Sequence, residues 1–128
     1  MRAFVTGGTG FIGGHLVRQL LGRGDDVVAL VRSAEKGSEL EKAGAALAIG
    51  DLTARRGLRD AMAGCAAVYH AAGVYRVGIP VADRPEMYEA NVVGTERVLD
   101  AAADAGVERI VYVSTVNVFG NTGGKVVD

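Results

Sequence analysis

The sequence has little of what marks secreted, membrane or nucleic-acid-binding proteins. Its one cysteine excludes an internal disulfide and favours a reducing compartment, so we expect a cytoplasmic protein. The residues before the first glycines are too few for a signal-peptide core, and no apolar run approaches the roughly 20 residues of a membrane helix. Basic residues form no dense block and the net charge is -1, so we expect neither a membrane nor nucleic acid as a partner.

The residues that are present fit one ordinary folded domain. Hydrophobic residues make up 49% and charged residues 23% of the chain, as in globular proteins. A length of 128 residues suffices for one hydrophobic core. We therefore predict a single domain over residues 1–128 that binds a small molecule, with no second, substrate-binding domain beside it.

Strand-like and helix-like patterns alternate along the chain. Continuous apolar runs, typical of parallel strands buried on both faces, occur around residues 4–5, 27–31, 46–49, 66–70 and 109–114. Helical patterns follow the first glycines and Thr53, and cover 35–43 and 86–105, where the residues expected to face inward are Met87, Val98, Leu99 and Ala102. This alternation predicts an α/β fold of the Rossmann type, a doubly wound parallel sheet of about five strands between two helix layers, ordered 3-2-1-4-5.

A glycine-rich turn links the first strand to the first helix. Residues 6–13 read TGGTGFIG and contain two overlapping fingerprints, with glycines at 8, 10 and 13 or at 7, 10 and 13. Such a turn needs positive φ, close approach to a pyrophosphate and tight helix packing, and the helix N-terminus adds N–H donors. The flanking strand and helix favour phosphate binding over a merely tight turn. The predicted phosphate-binding residues are Gly7, Gly10, Phe11, Ile12 and Gly13.

The end of the second predicted strand indicates which dinucleotide binds. Proteins that bind NAD usually place a carboxylate there, about 20 residues after the glycines. Asp25 and Asp26 precede the strand and lie too far from the ribose, whereas Arg32 and Ser33 follow it. A guanidinium beside a hydroxyl suits a 2′-phosphate, while Lys36 is more simply a solvated residue. We therefore predict NADP, with NAD as the alternative if Arg32 is only a surface residue.

Further blocks complete a family pattern. They are Gly50-Asp51-Leu52, His70-Ala71-Ala72-Gly73, residues 91–95 (NVVGT) and residues 113–120 (VSTVNVFG). With the glycine turn, they follow the order of the extended short-chain dehydrogenase/reductases, which the chain resembles over nearly its whole length. Within them it is most similar to the NAD-dependent epimerase/dehydratase group and its dihydroflavonol-reductase-like relatives. The resemblance implies an NAD(P)-binding domain of an oxidoreductase or sugar epimerase that acts by hydride transfer on a carbonyl or sugar substrate.

The resemblance also implies roles for residues after the third and fourth strands. Asp51 would hydrogen-bond the adenine amino group, Leu52 would line the adenine pocket, and residues 71–73 would pass the cofactor ribose. Asn91 would lie on the long helix and face the fourth strand. These residues are Asp51, Leu52, Ala71, Ala72, Gly73 and Asn91. From its position alone, Asp51 is also explained as a cap of the following helix.

The same resemblance implies a catalytic serine or threonine, a tyrosine, and a lysine four residues after the tyrosine. The first position falls on Thr115, with Ser114 as the alternate. No tyrosine in the sequence has a lysine four residues later, and no metal-ligand spacing or other catalytic set takes their place. His70, at the end of the fourth predicted strand, could be an acid or base, but a buried or half-buried histidine near the ligand explains it at least as well, and we assign it no catalytic role.

Without the tyrosine and lysine, the chain resembles the N-terminal part of such an enzyme. We expect the 128 residues alone to bind the cofactor without turnover, and a naturally short NADP-binding or redox-sensing module is the alternative. A sugar dehydratase is the least favoured parent, because Val116 and Asn117 stand where that group has an acidic pair. A fifth strand with an unpaired edge and an apolar face would favour self-association.

Overall fold

The computed structural model describes residues 1–76, 78 and 80–126. Its strands are β1 (Arg2–Thr6), β2 (Asp26–Val31), β3 (Ala46–Ile49), β4 (Ala67–His70) and β5 (Arg109–Tyr112). Its α-helices are α1 (Phe11–Gly22), α2 (Ala34–Lys42), α3 (Arg55–Ala61), α4 (Arg84–Tyr88) and α5 (Gly94–Asp104). Within these described ranges, none of the helices has the length and apolar content needed to cross a membrane.

The five strands form one parallel sheet in the predicted order, β3-β2-β1-β4-β5. β1 lies at its centre, where Phe4 pairs with Val28 of β2 and with Val68 of β4. Parallel neighbours need crossover connections, which the helices between the strands supply. Because all strands run in one direction, the loops after their carboxyl ends meet at one edge, where open α/β sheets bind ligands.

Successive residues of the central strands pack on opposite faces of the sheet, which confirms the three-layer prediction. Odd-numbered residues of β1 and β2 pack against α1 and α2, whereas even-numbered residues pack against α3 and α5. The first cluster comprises Ala3, Val5, Val17, Leu20, Val27, Ala29, Val31, Leu40 and Ala45. The second comprises Phe4, Val28, Leu58, Met62, Cys65, Val68, Val98, Ala101 and Ala102. Each large apolar side chain buried in this way stabilises the fold by roughly 1.5–3 kcal/mol.

The long predicted helix contains an irregular segment. Between α4 and α5, residues Glu89–Val93 are π-helical, and the Gly94 amide donates to the Glu89 carbonyl five residues earlier. Val98 and Ala102 are buried as predicted, but Leu99 is 39% exposed, so its predicted inward position was wrong. The buried positions 94, 98, 101 and 102 form one stripe, and Leu99 lies about 100° around the helix from Val98.

β5 is an exposed edge of the sheet. It ends at Tyr112, before the predicted boundary at residue 114, although the Val113 amide still donates to the His70 carbonyl at 3.0 Å. In the described sheet it pairs with β4 alone. Its apolar side chains, Ile110, Val111 and Tyr112, are 38–49% exposed. The face and the outer edge of this strand are therefore open to solvent.

Candidate cofactor-binding site

The turn between β1 and α1 requires glycine at two positions. Gly7 has a φ of +73°, and a Cβ there would lie 2.6 Å from the backbone of Ala71. A Cβ on Gly13 would overlap the carbonyl oxygen of Gly7. A Cβ on Gly8 would meet only the flexible Leu40 side chain, at 3.1 Å. The steric constraint therefore follows the fingerprint at 7, 10 and 13 rather than the one that starts at residue 8.

The N-terminus of α1 presents free backbone donors. Gly10 is the N-cap, and no side chain caps the helix. The Gly14 amide donates to the Gly10 carbonyl at 2.8 Å, so the amides of the three residues before it have no acceptor within the helix. Those residues are Phe11, Ile12 and Gly13. Together with the helix dipole, their amides favour an anion at this point, while the side chains of Phe11 and Ile12 are exposed to solvent.

A cavity of about 510 Å³ opens at the carboxyl edge of the sheet. Its walls come from the glycine turn, from the ends of β2, β3 and β4, and from the long helical region. The structure brings these predicted site residues together in its lining: Gly7, Gly10, Arg32, Asp51, Leu52, Ala71, Ala72 and Gly73. The predicted site residues outside the described lining are Phe11, Ile12, Gly13, Ser33, Asn91, Ser114 and Thr115.

The end of β2 brings two cations to the cavity. Arg32 lines it directly after the strand, and Lys36, an exposed residue in the first part of α2, lines it as well. Ser33 is the N-cap of α2, and its Oγ accepts a hydrogen bond from the Lys36 amide at 3.3 Å. A hydroxyl that accepts one bond keeps its proton for another acceptor. Arg32 and Lys36 therefore give this part of the cavity a positive charge, while Ser33 lies outside its described lining.

Asp25 lies before β2, as the sequence indicates, and binds elsewhere. Its Oδ1 accepts a hydrogen bond from the N-terminal amine at 2.7 Å, and its Oδ2 pairs with Arg23. The hydrogen bond from the N-terminal amine lowers the pKa of the Asp25 carboxyl, and Arg23 lowers it further. This carboxylate is part of an ion-pair cluster at the amino edge of the sheet and is not a ribose ligand.

Asp51 follows β3 and folds back on its own backbone. Its Oδ1 accepts hydrogen bonds from the Thr53 amide, at 2.8 Å, and from the Thr53 hydroxyl. These bonds lower the pKa of the Asp51 carboxyl, and the charges of Arg32 and Arg97 lower it further. α3 begins after Ala54 without a side-chain cap, so Asp51 does not cap that helix. The carboxylate is thus ionised and lines the cavity.

Arg97 of α5 also lines the cavity and was not predicted from the sequence. Its guanidinium donates to Glu89 Oε1 at 2.7 Å, and its side chain is 30% exposed. On the same helix, Gly94 closely approaches the segment after β3: a Cβ on Gly94 would lie 3.1 Å from the Leu52 side chain. No local sequence pattern predicts this close approach, since it joins two segments that are distant in the sequence, the start of α5 and the residues after β3.

His70 is fully buried at the end of β4, so the expectation that it is a buried histidine is confirmed. Its Nδ1 lies 2.6 Å from Thr6 Oγ1, and its Nε2 lies 2.9 Å from Thr95 Oγ1. Thr6 and His70 are direct partners in the β1–β4 register. Burial lowers the pKa of the imidazole and so favours its neutral form. Neither threonine hydroxyl was singled out from the sequence.

Asn91 lies in the π-helical segment and holds the loop after β4. Its Oδ1 accepts from the Val74 amide and its Nδ2 donates to the Val74 carbonyl, both at 2.7 Å. Val74 lines the cavity, although Asn91 does not. Asn91 therefore faces the loop that follows β4 rather than the strand itself. It contributes to the cavity indirectly, by holding the backbone of Val74.

The predicted catalytic hydroxyls lie outside the cavity lining. Ser114 and Thr115 follow β5 and are exposed. Thr115 is the N-cap of a 3₁₀ turn, Val116–Phe119, and its Oγ1 accepts from the Asn117 amide at 3.3 Å. Threonine often competes for nearby backbone groups in this way. In the part of the chain that the structure describes, no group of three or more His, Cys, Asp or Glu side chains could hold a metal ion.

Comparison with known proteins finds relatives along most of the chain. The family model described as NAD dependent epimerase/dehydratase family matches residues 3–127. The 4-hydroxy-2-methyl-3-oxo-4-farnesyl-3,4-dihydroquinoline-1-oxide ketoreductase of Stigmatella aurantiaca is 45% identical over 115 residues, or 90% of this chain and 34% of that protein. A putative dihydroflavonol 4-reductase of Synechocystis sp. is 42% identical over 120 residues, or 94% of this chain and 34% of that protein. The chain thus spans about a third of the length of these curated relatives.

A solved structure with a bound dinucleotide has the same fold. It is the UDP-glucose-4-epimerase of Stenotrophomonas maltophila with bound NAD and formylated UDP-arabinopyranose. Its TM-score is 0.84 at 27% identity, and the match covers 95% of this chain and 39% of that chain. The glycine turn, the uncapped N-terminus of α1 and the cavity beside them fit a dinucleotide on geometric grounds as well. The chain therefore belongs to the NAD dependent epimerase/dehydratase family.

Proposed function

We propose that this NAD(P)-binding domain uses NADP. The observation that carries the proposal is the presence of Arg32 in the cavity beside the uncapped N-terminus of α1. Helix amides suit a pyrophosphate, and a planar guanidinium suits a 2′-phosphate. Asp51 and Leu52, which line the same cavity, are proposed to hold the adenine. The alternative is NAD, the dinucleotide bound in the Stenotrophomonas epimerase.

For the whole protein we propose oxidoreductase or epimerase activity at a carbonyl or hydroxyl carbon of a ketone or sugar. The dinucleotide would supply or accept the hydride. The role of this chain would be to bind and orient the dinucleotide, with the glycine turn at the pyrophosphate and residues 71–73 along the ribose. Thr115, with Ser114 as the alternate, is proposed to position the substrate oxygen. Thr115 lies outside the described lining of the cofactor cavity, in the segment after β5.

Calorimetric titration with NADPH and, separately, with NADH tests the cofactor proposal. We expect NADPH to bind about tenfold or more tightly, because charge-assisted hydrogen bonds to the extra phosphate contribute roughly 1.5–3 kcal/mol. Equal affinities for NADPH and NADH would show that the site accepts both dinucleotides and does not recognise the 2′-phosphate. If neither dinucleotide binds, the proposed cofactor site is wrong for this chain.

We further propose that the 128 residues bind the cofactor without turnover, because no tyrosine has a lysine four residues later. A non-catalytic NADP-binding or redox-sensing module is the second candidate, and the same observation supports it. Oxidation of NADPH in the presence of a panel of ketones, measured on the whole protein, distinguishes an oxidoreductase from a non-catalytic module. If the 128 residues alone oxidised NADPH above the protein-free rate, the proposal that they bind without turnover would be contradicted.

We also propose that the chain self-associates through β5. An unpaired strand edge with exposed apolar side chains favours pairing with a second copy. Val111, which is 49% exposed, offers a test: Val111→Lys should reduce the oligomer seen by light scattering. Val81→Lys is the matched control, because Val81 is 71% exposed and lies outside β5. A wild-type chain that stays monomeric at high concentration would refute the proposal.

A further inference from the structure

Four hydrogen bonds behind the cavity run in one defined direction. The Thr95 hydroxyl donates to the Asn91 carbonyl at 2.7 Å, which uses its one proton. His70 Nε2 must therefore carry the proton that it donates to Thr95 Oγ1 at 2.9 Å. His70 Nδ1 is then unprotonated and accepts from the Thr6 hydroxyl at 2.6 Å. Thr6 Oγ1 in turn accepts from the Ala72 amide at 3.2 Å.

At each end of this hydrogen-bond chain, a residue that lines the cavity has its backbone fixed by hydrogen bonds. At one end, the Ala72 amide is tied to Thr6, the residue directly before the glycine turn. At the other end, the Asn91 side chain binds both backbone groups of Val74. The peptide between Ala71 and Ala72 also lies so close to Gly7 that a Cβ would come within 2.6 Å of it. A movement of residues 71–74 would therefore change the width of the cavity.

We propose that His70 is a positioning residue whose neutral imidazole, protonated on Nε2, couples Thr6 to Thr95 and thereby sets the spacing between the glycine turn and the loop after β4. The proposal rests on the proposed cofactor-binding function of that cavity. A neutral imidazole has one donor nitrogen and one acceptor nitrogen, and both need partners when the ring is buried. Here both ring nitrogens and both hydroxyls are used, and each proton has one consistent place.

The surroundings of His70 favour this neutral state. Burial lowers the pKa of the imidazole, and a proton on Nδ1 would oppose the hydroxyl of Thr6. Tyr112 of β5, a titratable side chain, stacks on the ring with 5.4 Å between centroids. The neighbours from β1 and α5, Thr6 and Thr95, carry no charge. Protonation of His70 would thus break the direction of the hydrogen-bond chain.

Removal of the hydroxyls at either end tests the coupling. Thr6→Val and Thr95→Val keep the side-chain volume, and each should weaken NADPH binding about five- to tenfold. Because Thr95 acts on Ala72 only through His70 and Thr6, the double variant should bind no more weakly than Thr6→Val alone. Thr6→Ser and Thr95→Ser keep a hydroxyl and should restore affinity. Additive losses, or serine variants that bind as poorly as the valine variants, would overturn the proposal.

Two further measurements separate positioning from stability and from the cofactor proposal. Val98→Ala, a buried change on α5, should lower the melting temperature without weakening NADPH binding to the folded protein. Without any ligand, Thr95→Val should speed hydrogen exchange of the Ala72 amide about fivefold, and nitrogen NMR should find His70 protonated on Nε2. Unchanged exchange, or a proton on Nδ1, would overturn the positioning role. Failure of the wild type to bind NADPH or NADH would instead contradict the proposed function.

Discussion

Glu89 and Arg97 are joined by a hydrogen bond of 2.7 Å between Glu89 Oε1 and the guanidinium, and both residues line the cavity. Glu89 begins the π-helical segment, and Arg97 lies one turn inside α5. The guanidinium therefore neutralises a carboxylate beside a site that we propose holds phosphates. Without it, the charge of Glu89 would oppose an anionic ligand.

Arg97→Gln should weaken NADPH binding about fivefold, because a partly exposed ion pair contributes up to about 1 kcal/mol and its loss leaves Glu89 unpaired. Glu89→Gln should not weaken binding. Arg55→Gln is the matched control, since Arg55 pairs with Asp104 at 2.8 Å on the surface between α3 and α5. Titration of the three variants checks the prediction, and an unchanged affinity in Arg97→Gln would exclude a role for this pair.

Arg32→Asp should weaken NADPH binding about tenfold or more and NADH binding much less. The reason is that the guanidinium is proposed to bind the 2′-phosphate, which NADH lacks. Lys36→Asp, also in the cavity, should have a smaller effect, because an ammonium cannot form the bidentate contact. Equal losses for both dinucleotides in Arg32→Asp would show that Arg32 is only a surface residue.

Gly13→Ala and Gly22→Ala should change stability in opposite directions, although both lie in α1. A Cβ on Gly13 would overlap the Gly7 carbonyl, so we expect a loss of about 1–3 kcal/mol and no measurable NADPH binding. Nothing lies within 4 Å of a Cβ on Gly22, so alanine there should add about 0.5–1 kcal/mol. Urea unfolding measures both. A Gly13→Ala variant as stable as the wild type would contradict the observed turn geometry.

The neutral burial of His70 predicts a loss of stability in mild acid. Its folded-state pKa is lowered, so above the ordinary value of about 6.5 neither the folded nor the unfolded chain carries the proton. Below that value the unfolded chain binds the proton first, and the free energy of unfolding falls until the folded-state pKa is reached. Urea unfolding of His70→Gln should show a flatter pH dependence over this window.

Two comparisons isolate the His70 effect. Tyr112→Phe keeps the ring that stacks on the imidazole and should retain the wild-type slope. The carboxyls of Asp25 and Asp51, whose pKa values are lowered, lose their contribution only in stronger acid, below their ordinary value of 3.8. A His70→Gln variant with the same slope as the wild type between about pH 7 and pH 5 would show that another group causes the loss.

Local sequence was enough to predict the elements, their order in the sheet and the glycine turn. Continuous apolar runs and helical spacing predict the strands and helices, and short right-handed crossovers leave few topologies. The positive φ at Gly7 is a local property of the turn, and the overlap at Gly13 arises between residues six positions apart. Such short-range sterics follow from the sequence itself. The further sequence blocks then indicated the family, which the match over residues 3–127 confirmed.

Only the tertiary structure decided which distant side chains meet. The β1–β4 register places Thr6 beside His70, Gly94 packs closely on Leu52, and Arg97 of the same helix lines the cavity. The turn after β5 keeps Thr115 out of the described lining. Each of these outcomes depends on the separation of two elements in the folded chain, to within the few tenths of an ångström that hydrogen bonds tolerate. Sequence periodicity specifies which face of an element is buried, but it does not specify that separation.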